Sequence, residues 1–384
     1  MNKYQEAAKH KKIAEAVIRD KSTEDLIEIQ KFITNFLDMQ KVGKLHTTYV
    51  NGTKKAIAFN EQDRVYFDFR FEGTVTGRLS CAGQKIKGDP MGLSFHTLPN
   101  PDEDDEGGVD VSKNIRSIFT APDGWVFLAS DYSTMELRVL SVLSGEYAMK
   151  KAFLEGRDLH TATASMLFGT SEENVSKKER KIAKTINFLI VYGGGPPNLA
   201  QVAGIPLSEA EQAIDRYKKV FPRIFHYMEV VEEQLRRDHY VTTIFGRRRH
   251  LPNITSFDKK KQAEAIRQAV NFTVQSAASD VLVCACEGIM KEFEEKGMEA
   301  RVVATVHDSI EVVCPKHETE EALKIKRRNM MNPPAFEELG IEFDVPLVVD
   351  CEVGYDFGVV HEVEFCEDNN IENKEELAEF FKWR

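Results

Sequence analysis

The sequence lacks any long apolar run. None of its stretches approaches the roughly 18 consecutive apolar residues that a membrane-spanning helix needs, and its start, MNKYQEAAKHKK, has no apolar core of the signal-peptide kind. Cysteine is scarce too: the six cysteines are scattered, without CxxC pairs or neighbouring histidines, which disfavours a disulfide framework or a zinc site. We therefore expect an intracellular protein with reduced cysteines and no membrane segment.

Positive charge is also in short supply. The formal net charge of −11 over 384 residues argues, taken alone, against a partner as anionic as nucleic acid. Basic residues nevertheless cluster at 177–184, 247–250 and 259–261, while acidic residues gather at 102–106. Such clusters are usually solvated faces, so only their position in the fold gives them meaning. A hydrophobic fraction of 42% is ample for a large core and excludes overall disorder.

The first 70 residues carry two different patterns. Residues 1–45 predict two helices, and Ser22 with Asp25 three positions later predicts a variant capping box at the start of the second. From Thr47 to Phe71, residue alternation and an Asn-Gly pair favour a β-hairpin.

The rest of the chain mixes a few strands with many helices. WVFLAS (125–130) predicts a buried strand that ends at Asp131, and helical periodicity follows from 134 to 289. Three later apolar runs predict further strands, at 301–306, 310–314 and 345–353. This order predicts an α+β fold.

Two aspartates stand where strands end. Asp131 follows the first predicted strand, and Asp308 lies between two strands at the tip of a hairpin. Two converging carboxylates suit hard cations such as Mg²⁺, which bind a few carboxylate oxygens together with substrate phosphates. Carboxylates at such positions also serve simply as turn or capping groups, so the pair alone leaves both interpretations open.

A helix with a basic end carries a second candidate site. Arg180, Lys184, Phe188 and Tyr192 recur every four residues in KKERKIAKTINFLIVYGGG and so share one helix face. Cations there suit a triphosphate, and an aromatic ring suits a sugar and base. An ordinary amphipathic helix with a solvated basic end explains the same spacing.

Taken in order, these segments resemble a known family. DYSTMELR (131–138), RKIAKTINFLIVYG (180–193) and VHDS (306–309) are similar to motifs A, B and C of the family A DNA polymerases, relatives of bacterial DNA polymerase I. The resemblance spans about 45–355, because further family-like stretches occur in the expected order: TGRLSC (76–81), LPNP (98–101), IRSIFTAPDGW (115–125), DLHTATA (158–164), FGRRRHLP (245–252) and RQAVNFTVQSAASD (267–280).

The resemblance implies a right-hand polymerase fold with an antiparallel palm sheet, helical fingers and a truncated helical thumb. It implies a template-directed DNA polymerase that adds dNTPs to a primer 3′ end by two-metal phosphoryl transfer. We expect four regions: partial thumb 1–70, first palm part 71–150, fingers 151–265, and second palm part with the C-terminal tail 266–384.

Partners and setting follow from the same resemblance. Primer-template DNA and dNTPs are the expected partners, without a membrane. Because only 130 residues precede Asp131, we expect no proofreading domain, and a separate polypeptide is a candidate source of the missing thumb, exonuclease or processivity function. A compact replicative enzyme of phage type, cytoplasmic in a bacterial cell or phage-infected host, is the preferred reading.

Metal and nucleotide contacts transfer motif by motif. The resemblance implies two Mg²⁺ ions, replaceable by Mn²⁺, on Asp131, Asp308 and the main-chain carbonyl of Tyr132. Glu136 matches the steric gate that crowds a ribose 2′-hydroxyl. The remaining nucleotide contacts implied are Arg180, His160 and Lys184 on the triphosphate (Lys184 also catalytic), Phe188 stacked on the incoming nucleotide, and Tyr192 closing the templating position.

The implied DNA contacts approach the primer terminus and the minor groove, where acceptor positions are similar for every correct pair. They are Arg78, Arg267, Asn271, Gln275 and His307. Phenylalanine at 188, where some relatives have tyrosine, implies discrimination against dideoxynucleotides.

Three departures from the family pattern stand out. Thr134-Met135 replaces Gln-Ile in motif A, and Leu189 replaces glycine in motif B. In motif C, Ser309 replaces the glutamate that normally follows Asp308. Glu311 lies two residues further on, on the same strand face, and our hypothesis is that it substitutes through water.

Two other functions compete with DNA synthesis. His-Asp-Ser in motif C also resembles the single-subunit RNA polymerases, although Glu136, Phe188 and Gln275 favour the DNA-making branch. A catalytically silent module that binds primed DNA is the other alternative, and Ser309 is its only support.

Overall fold

The computed structural model describes residues 22–60, 63–83, 85–86, 89–90, 93–98, 115–358, 360–366 and 368–382. These residues fall into two compact units. The first draws on Met1–Asp68 and Ala82–Ser94, and the second on Phe69–Cys81 and Phe95–Arg384. The helix predicted in the first part of 1–45 lies outside the described residues.

The first unit is mainly helical. Helix α1 (Thr23–Lys44) runs into a π-helical segment (Leu45–Val50) and then α2 (Asn51–Asn60). The predicted capping pair is confirmed: the Asp25 amide donates to Ser22 Oγ at 3.2 Å, and the Ser22 amide donates to Asp25 Oδ2 at 3.1 Å.

The hairpin predicted from Thr47 to Phe71 is wrong. The chain is helical from Thr47 to Asn60, and the Thr47 hydroxyl donates to the Gly43 carbonyl at 2.8 Å. The buried side chains recur at three- and four-residue spacing, which is the helical period rather than the two-residue period of a strand; they are Leu45, Tyr49, Thr53 and Ala56. The Asn-Gly pair begins α2 instead of forming a turn.

The strands that the structure describes are β1 (Phe67–Arg70), β2 (Ser80–Gly83), β3 (Lys85–Ile86), β4 (Asp89–Pro90), β5 (Trp125–Tyr132), β6 (Tyr240–Thr242), β7 (Arg248–His250), β8 (Arg301–Val306), β9 (Ser309–Pro315), β10 (Val349–Gly354) and β11 (Val360–Val363). Short 3₁₀ turns cover Phe95–Thr97, Glu172–Asn174, Pro252–Thr255 and Lys316–Glu318.

The helices of the second unit are α3 (Met135–Ser144), α4 (Tyr147–Leu154), α5 (Leu159–Phe168), α6 (Lys177–Val191), α7 (Pro196–Ala203), α8 (Leu207–Val220), α9 (Pro222–Asp238), α10 (Lys259–Glu295), α11 (Thr319–Met331), α12 (Ala335–Glu338) and α13 (Lys374–Lys382). They confirm the helical prediction for 134–289, where the β6–β7 hairpin supplies the only strands.

A five-stranded antiparallel sheet organises the second unit. Its strand order is β11-β10-β5-β9-β8, so the predicted apolar strand β5 lies at the centre. Val126 and Leu128 of β5 are fully buried, as expected for a strand covered on one face by helices. Alternate residues point to the opposite face, which leaves Asp131 on the other side of the sheet.

The strand predicted at 345–353 begins only at Val349. Pro346 has no N–H for the ladder, and its carbonyl accepts a hydrogen bond from the Arg138 guanidinium at 2.5 Å. The edge strand β11 was not predicted from the sequence.

The longest helix, α10, has 37 residues, which corresponds to about 55 Å. Among the described residues it alone is long and apolar enough to cross a membrane, but 83% of its most apolar window is buried inside the protein. All six cysteines are free.

Candidate active site

Asp131 and Asp308 meet at one edge of the central sheet. Asp131 is the next-to-last residue of β5, and Asp308 lies in the two-residue turn between β8 and β9. The Tyr132 amide donates to the Asp308 carbonyl at 3.2 Å, which fixes the turn against the end of β5. His307 adopts a φ of +56°, a left-handed conformation that histidine accepts more readily than most residues.

An open pocket of about 680 Å³ lies over this edge. Strand register explains its acidity, because Asp131 pairs with Ser309 on one side and with Asp350 on the other, so all three share a face. The ionisable residues that line the pocket are Arg116, Asp131, His307, Asp308, Glu311, Asp350 and Glu352.

Burial and neighbouring negative charges raise the pKa of the carboxyl groups in this pocket. The Asp131 residue keeps exposed surface. Nevertheless, partial desolvation of its carboxyl group by the surrounding protein, together with the charges of Asp308 and Glu311, raises its pKa to about 7. Burial also raises the pKa of Asp308, which Arg78 partly opposes. Because a divalent cation would relieve this repulsion, and carboxylates are the ligands that Mg²⁺ prefers, the donor set fits a metal site.

Tyr132 is buried, and its hydroxyl donates to the Met330 carbonyl at 2.8 Å. Its side chain therefore points into the core, and a ligand role is left to its main chain.

Glu136 is held on both carboxylate oxygens. It lies in the first turn of α3 and is only 4% exposed. The Arg78 guanidinium pairs with Oε1, and the Tyr192 hydroxyl donates to Oε2 at 2.9 Å. Burial raises the pKa of Glu136, whereas Arg78 and hydrogen bonds from Tyr192 and Gln275 lower it. Glu136 thus forms one cluster with three other residues predicted for the site: Arg78, Tyr192 and Gln275.

Helix α6 begins with a complete capping box between Ser176 and Glu179. Near this end, Arg180 makes a two-pronged ion pair with Asp158, with nitrogen-to-oxygen distances of 3.0 and 3.1 Å. Lys184 is exposed, and within the described part of the chain it forms no ion pair. One face of α6 therefore presents cations to solvent, as the sequence predicted.

His160 packs against that helix. Its ring centre lies 5.7 Å from that of Phe188, and its Nδ1 lies 3.1 Å from the amide nitrogen of Asn187. Since an amide nitrogen only donates, Nδ1 accepts and the ring proton resides on Nε2. Burial, helped by the charges of Arg180 and Lys184 and opposed by that of Asp158, lowers the pKa of His160 to about 4. His160 is thus a neutral N–H donor near pH 7.

The residues predicted to contact DNA lie on α10 and around the β8–β9 turn. Arg267, Asn271 and Gln275 are spaced four residues apart along α10, so they share a face. Arg267 packs over Gly193, where an added Cβ would lie 2.7 Å from Arg267 Cγ. The His307 ring lies 6.0 Å from that of His96.

Residues 1–359 match the profile of DNA polymerase family A. The chain belongs to this family. It is 34% identical over 334 residues to the thermostable DNA polymerase I of Thermus aquaticus, covering 87% of this chain and 37% of that protein. It is 33% identical over 333 residues to DNA polymerase I of Geobacillus stearothermophilus, covering 86% of this chain and 35% of that protein. The chain thus spans little more than a third of these relatives' length.

A solved structure of a polymerase domain has a similar fold. The chain is similar to the POL domain of Pol1 from M. smegmatis, in a complex with DNA primer-template and dNTP, with a TM-score of 0.75 and 26% identity. The match covers 87% of this chain and 55% of that one. The predicted α+β polymerase fold with an antiparallel sheet is confirmed.

In this family A chain, the three motifs occupy the predicted elements. Motif A runs from β5 into α3, motif B is α6, and motif C is the β8–β9 turn. The roles assigned to individual residues in these motifs stay predictions.

Sequence reasoning missed several polar residues of the candidate site. Asp158 both caps α5, accepting from the Thr161 amide at 2.7 Å, and pairs with Arg180. Its position directly before a helix was the signal that could have identified it. Asp350 and Glu352 were hidden inside an apolar run, and only strand register brings them to the pocket.

The departures from the family pattern are accommodated by packing. A Cβ on Gly194 would lie 2.2 Å from Leu189 Cδ1, so the larger side chain at 189 occupies space above a glycine. Met135 is buried in the core, 1% exposed. Glu311 is also buried, at 1% exposed, and accepts a hydrogen bond from the Ser309 hydroxyl at 2.6 Å.

Proposed function

We propose that this chain catalyses template-directed addition of dNTPs to the 3′ end of a primer. One observation carries the proposal: contacts link the carboxylate pocket to the cationic helix within the second unit. Arg78 and Asp308 line one small cavity, and Arg78 pairs with Glu136, which bonds to Tyr192 at the end of α6. A site for nucleotide transfer needs two components close together: carboxylates that bind metal ions and cations that bind the triphosphate.

Asp131 and Asp308 would hold two Mg²⁺ ions, or Mn²⁺ in their place, with the main-chain carbonyl of Tyr132. When bound, such ions neutralise charge on the attacking and leaving oxygens of a phosphoryl transfer. The protein holds the two aspartates in fixed positions, because Asp131 belongs to a paired strand and Asp308 to the turn between two paired strands.

The incoming nucleotide would lie along α6. Arg180 and Lys184 would neutralise the triphosphate and the leaving pyrophosphate, and neutral His160 would donate from Nε2. The Phe188 ring, fixed by its contact with His160, would support the sugar and base. Glu136, held by two partners, cannot swing away and so would exclude a ribose 2′-hydroxyl.

The primer-template duplex would contact the α10 face and the motif C turn. The buried Oδ1 of Asn271 has no hydrogen-bond partner among the described residues, which suits a group that awaits a ligand. We assign DNA contacts to Arg78, Arg267, Asn271, Gln275 and His307.

The test is extension of a labelled primer on a DNA template, with dNTPs or NTPs, with and without Mg²⁺. Asp308→Ala is expected to lower the rate by about 10³-fold or more, since metal ligation contributes several kcal/mol to such reactions. Asp215→Ala, which removes an exposed aspartate on α8, is the matched control and should extend normally.

Two outcomes would replace the proposal. A parent protein that prefers NTPs would favour the RNA polymerase alternative. Retained binding of primed DNA without any extension in Mg²⁺ or Mn²⁺ would favour the silent binding module.

A further inference from the structure

Glu311 is a buried carboxylate with one oxygen unused. Its side chain is 1% exposed. Oε1 accepts a hydrogen bond from Ser309 Oγ at 2.6 Å, whereas Oε2 has no hydrogen-bond partner among the described residues. Leaving a buried carboxylate oxygen without a partner is costly, and such atoms are rare in folded proteins. The orphaned oxygen therefore points to a missing ligand.

The position of Glu311 defines the chemistry of that ligand. In the sheet, Ser309 lies opposite Asp131 and Glu311 lies opposite Ala129. Because side chains alternate along strands, Ser309 and Glu311 project from the same face as Asp131. Glu311 lines the same pocket as Asp131 and Asp308.

Lys326, a buried cation near Glu311, already has another partner. Lys326 on α11 is fully buried, and its ammonium donates to the Leu128 carbonyl at 2.7 Å. Lys326 and Arg116 both lie near enough to favour a charged Glu311, but Oε2 still has no hydrogen-bond partner among the described residues. A cation entering from the pocket would supply the missing partner.

We propose that Glu311 supplies a third carboxylate to the divalent-metal site of Asp131 and Asp308, and that Ser309 is the positioning residue that holds it. This inference rests on the proposed function. The Ser309 hydroxyl fixes Oε1, so the orientation of the whole carboxylate is set before an ion arrives. Three carboxylate side chains and a main-chain carbonyl form an all-oxygen site suited to Mg²⁺ or Mn²⁺.

Direct metal binding tests this inference without using activity. Mn²⁺ is titrated into the full chain, without DNA or dNTP, and free Mn²⁺ is measured by electron paramagnetic resonance. Glu311→Gln keeps the shape and removes the charge, while Glu211→Gln, which changes an exposed glutamate of α8 that does not line the pocket, is the charge-matched control. Asp308→Ala is the reference for loss of the site.

Glu311→Gln should weaken Mn²⁺ affinity by about 10-fold or more, within the range seen when groups supporting a metal site are removed. Glu211→Gln should bind Mn²⁺ as the parent does. Without metal, Glu311→Gln should be at least as stable as the parent to urea, because it removes a buried charge. A purely structural carboxylate would give the reverse: lower stability and unchanged affinity.

Ser309 gives an independent test if Glu311→Gln fails to fold. Ser309→Ala should weaken Mn²⁺ binding, and Ser309→Thr, which restores a hydroxyl, should recover it. Parental affinity in both Glu311→Gln and Ser309→Ala, with reduced affinity in Asp308→Ala, would overturn the role of Glu311 and leave the proposed function standing. If Asp308→Ala also binds Mn²⁺ normally and the parent extends no primer, the proposed function itself fails.

Discussion

The Tyr192 hydroxyl donates a hydrogen bond to the Glu136 carboxylate over 2.9 Å, joining the end of α6 to the first turn of α3. Arg78 occupies the other oxygen of the same carboxylate. The proposed sugar gate is thus coupled to the helix proposed to bind the triphosphate, and a shift of α6 would change the surroundings of Glu136.

Removing the Glu136 side chain should relax sugar selection. Glu136→Ala is expected to raise the use of NTPs relative to dNTPs by about 10- to 100-fold, since steric and polar mismatch in a pocket is worth about 1–3 kcal/mol. The measurement is kcat/KM for single-nucleotide addition of a dNTP and the matching NTP. Tyr192→Phe, which loses only the hydrogen bond, should have a smaller effect. An unchanged ratio in Glu136→Ala would argue against the gate.

The Asp158–Arg180 ion pair should compete with a bound triphosphate. Asp158→Asn retains a good helix cap but loses the ion pair, so the KM for dNTP should fall by about two- to five-fold, as an exposed pair is worth up to about 1 kcal/mol. Asp158→Ala should also lose about 1 kcal/mol of stability, because the cap of α5 is gone. Steady-state kinetics and urea unfolding check the two effects. A higher KM in Asp158→Asn would mean that Asp158 assists nucleotide binding.

Leu189 and Gly194 should behave as a coupled pair. Gly194→Ala would place a Cβ 2.2 Å from Leu189 Cδ1, and overpacking of this kind costs about 1–3 kcal/mol. The double variant with Leu189→Ala should lose less stability than the sum of the single changes. Urea unfolding of the four proteins measures the coupling. Gly43→Ala on α1, where a Cβ would meet nothing within 4 Å, is the control and should not destabilise.

His160 should make stability depend on pH. Its pKa in the folded protein, about 4, lies below the ordinary 6.5, so between these values the unfolded chain binds the extra proton and stability falls as pH falls. At pH 4 the parent should have lost about 2–3 kcal/mol relative to its value at pH 7 from this group. His160→Gln should lack this part of the loss. Parallel curves of unfolding free energy against pH for the two proteins would refute the assignment.

Strong local patterns made much of the chain predictable. Three patterns depend only on residues close in sequence: the apolar run of β5, the capping pair of Ser22 and Asp25, and the four-residue spacing on α6. The hairpin prediction after Thr47 was wrong because the alternation of residues there is short. The helical stripe from Leu45 to Ala56 is recognisable only from the burial of its side chains in the structure.

By itself, the sequence determined the α+β order of elements, the family, and the two aspartates and the cationic helix as candidate groups, because motif spacing and periodicity are properties of neighbouring residues. Only the tertiary structure decided which carboxylates share a pocket. Strand register places Asp350 and Glu352 beside Asp131, and packing buries Glu311 with one oxygen left over. Such relations depend on pairing between residues up to about two hundred positions apart, which no local pattern encodes.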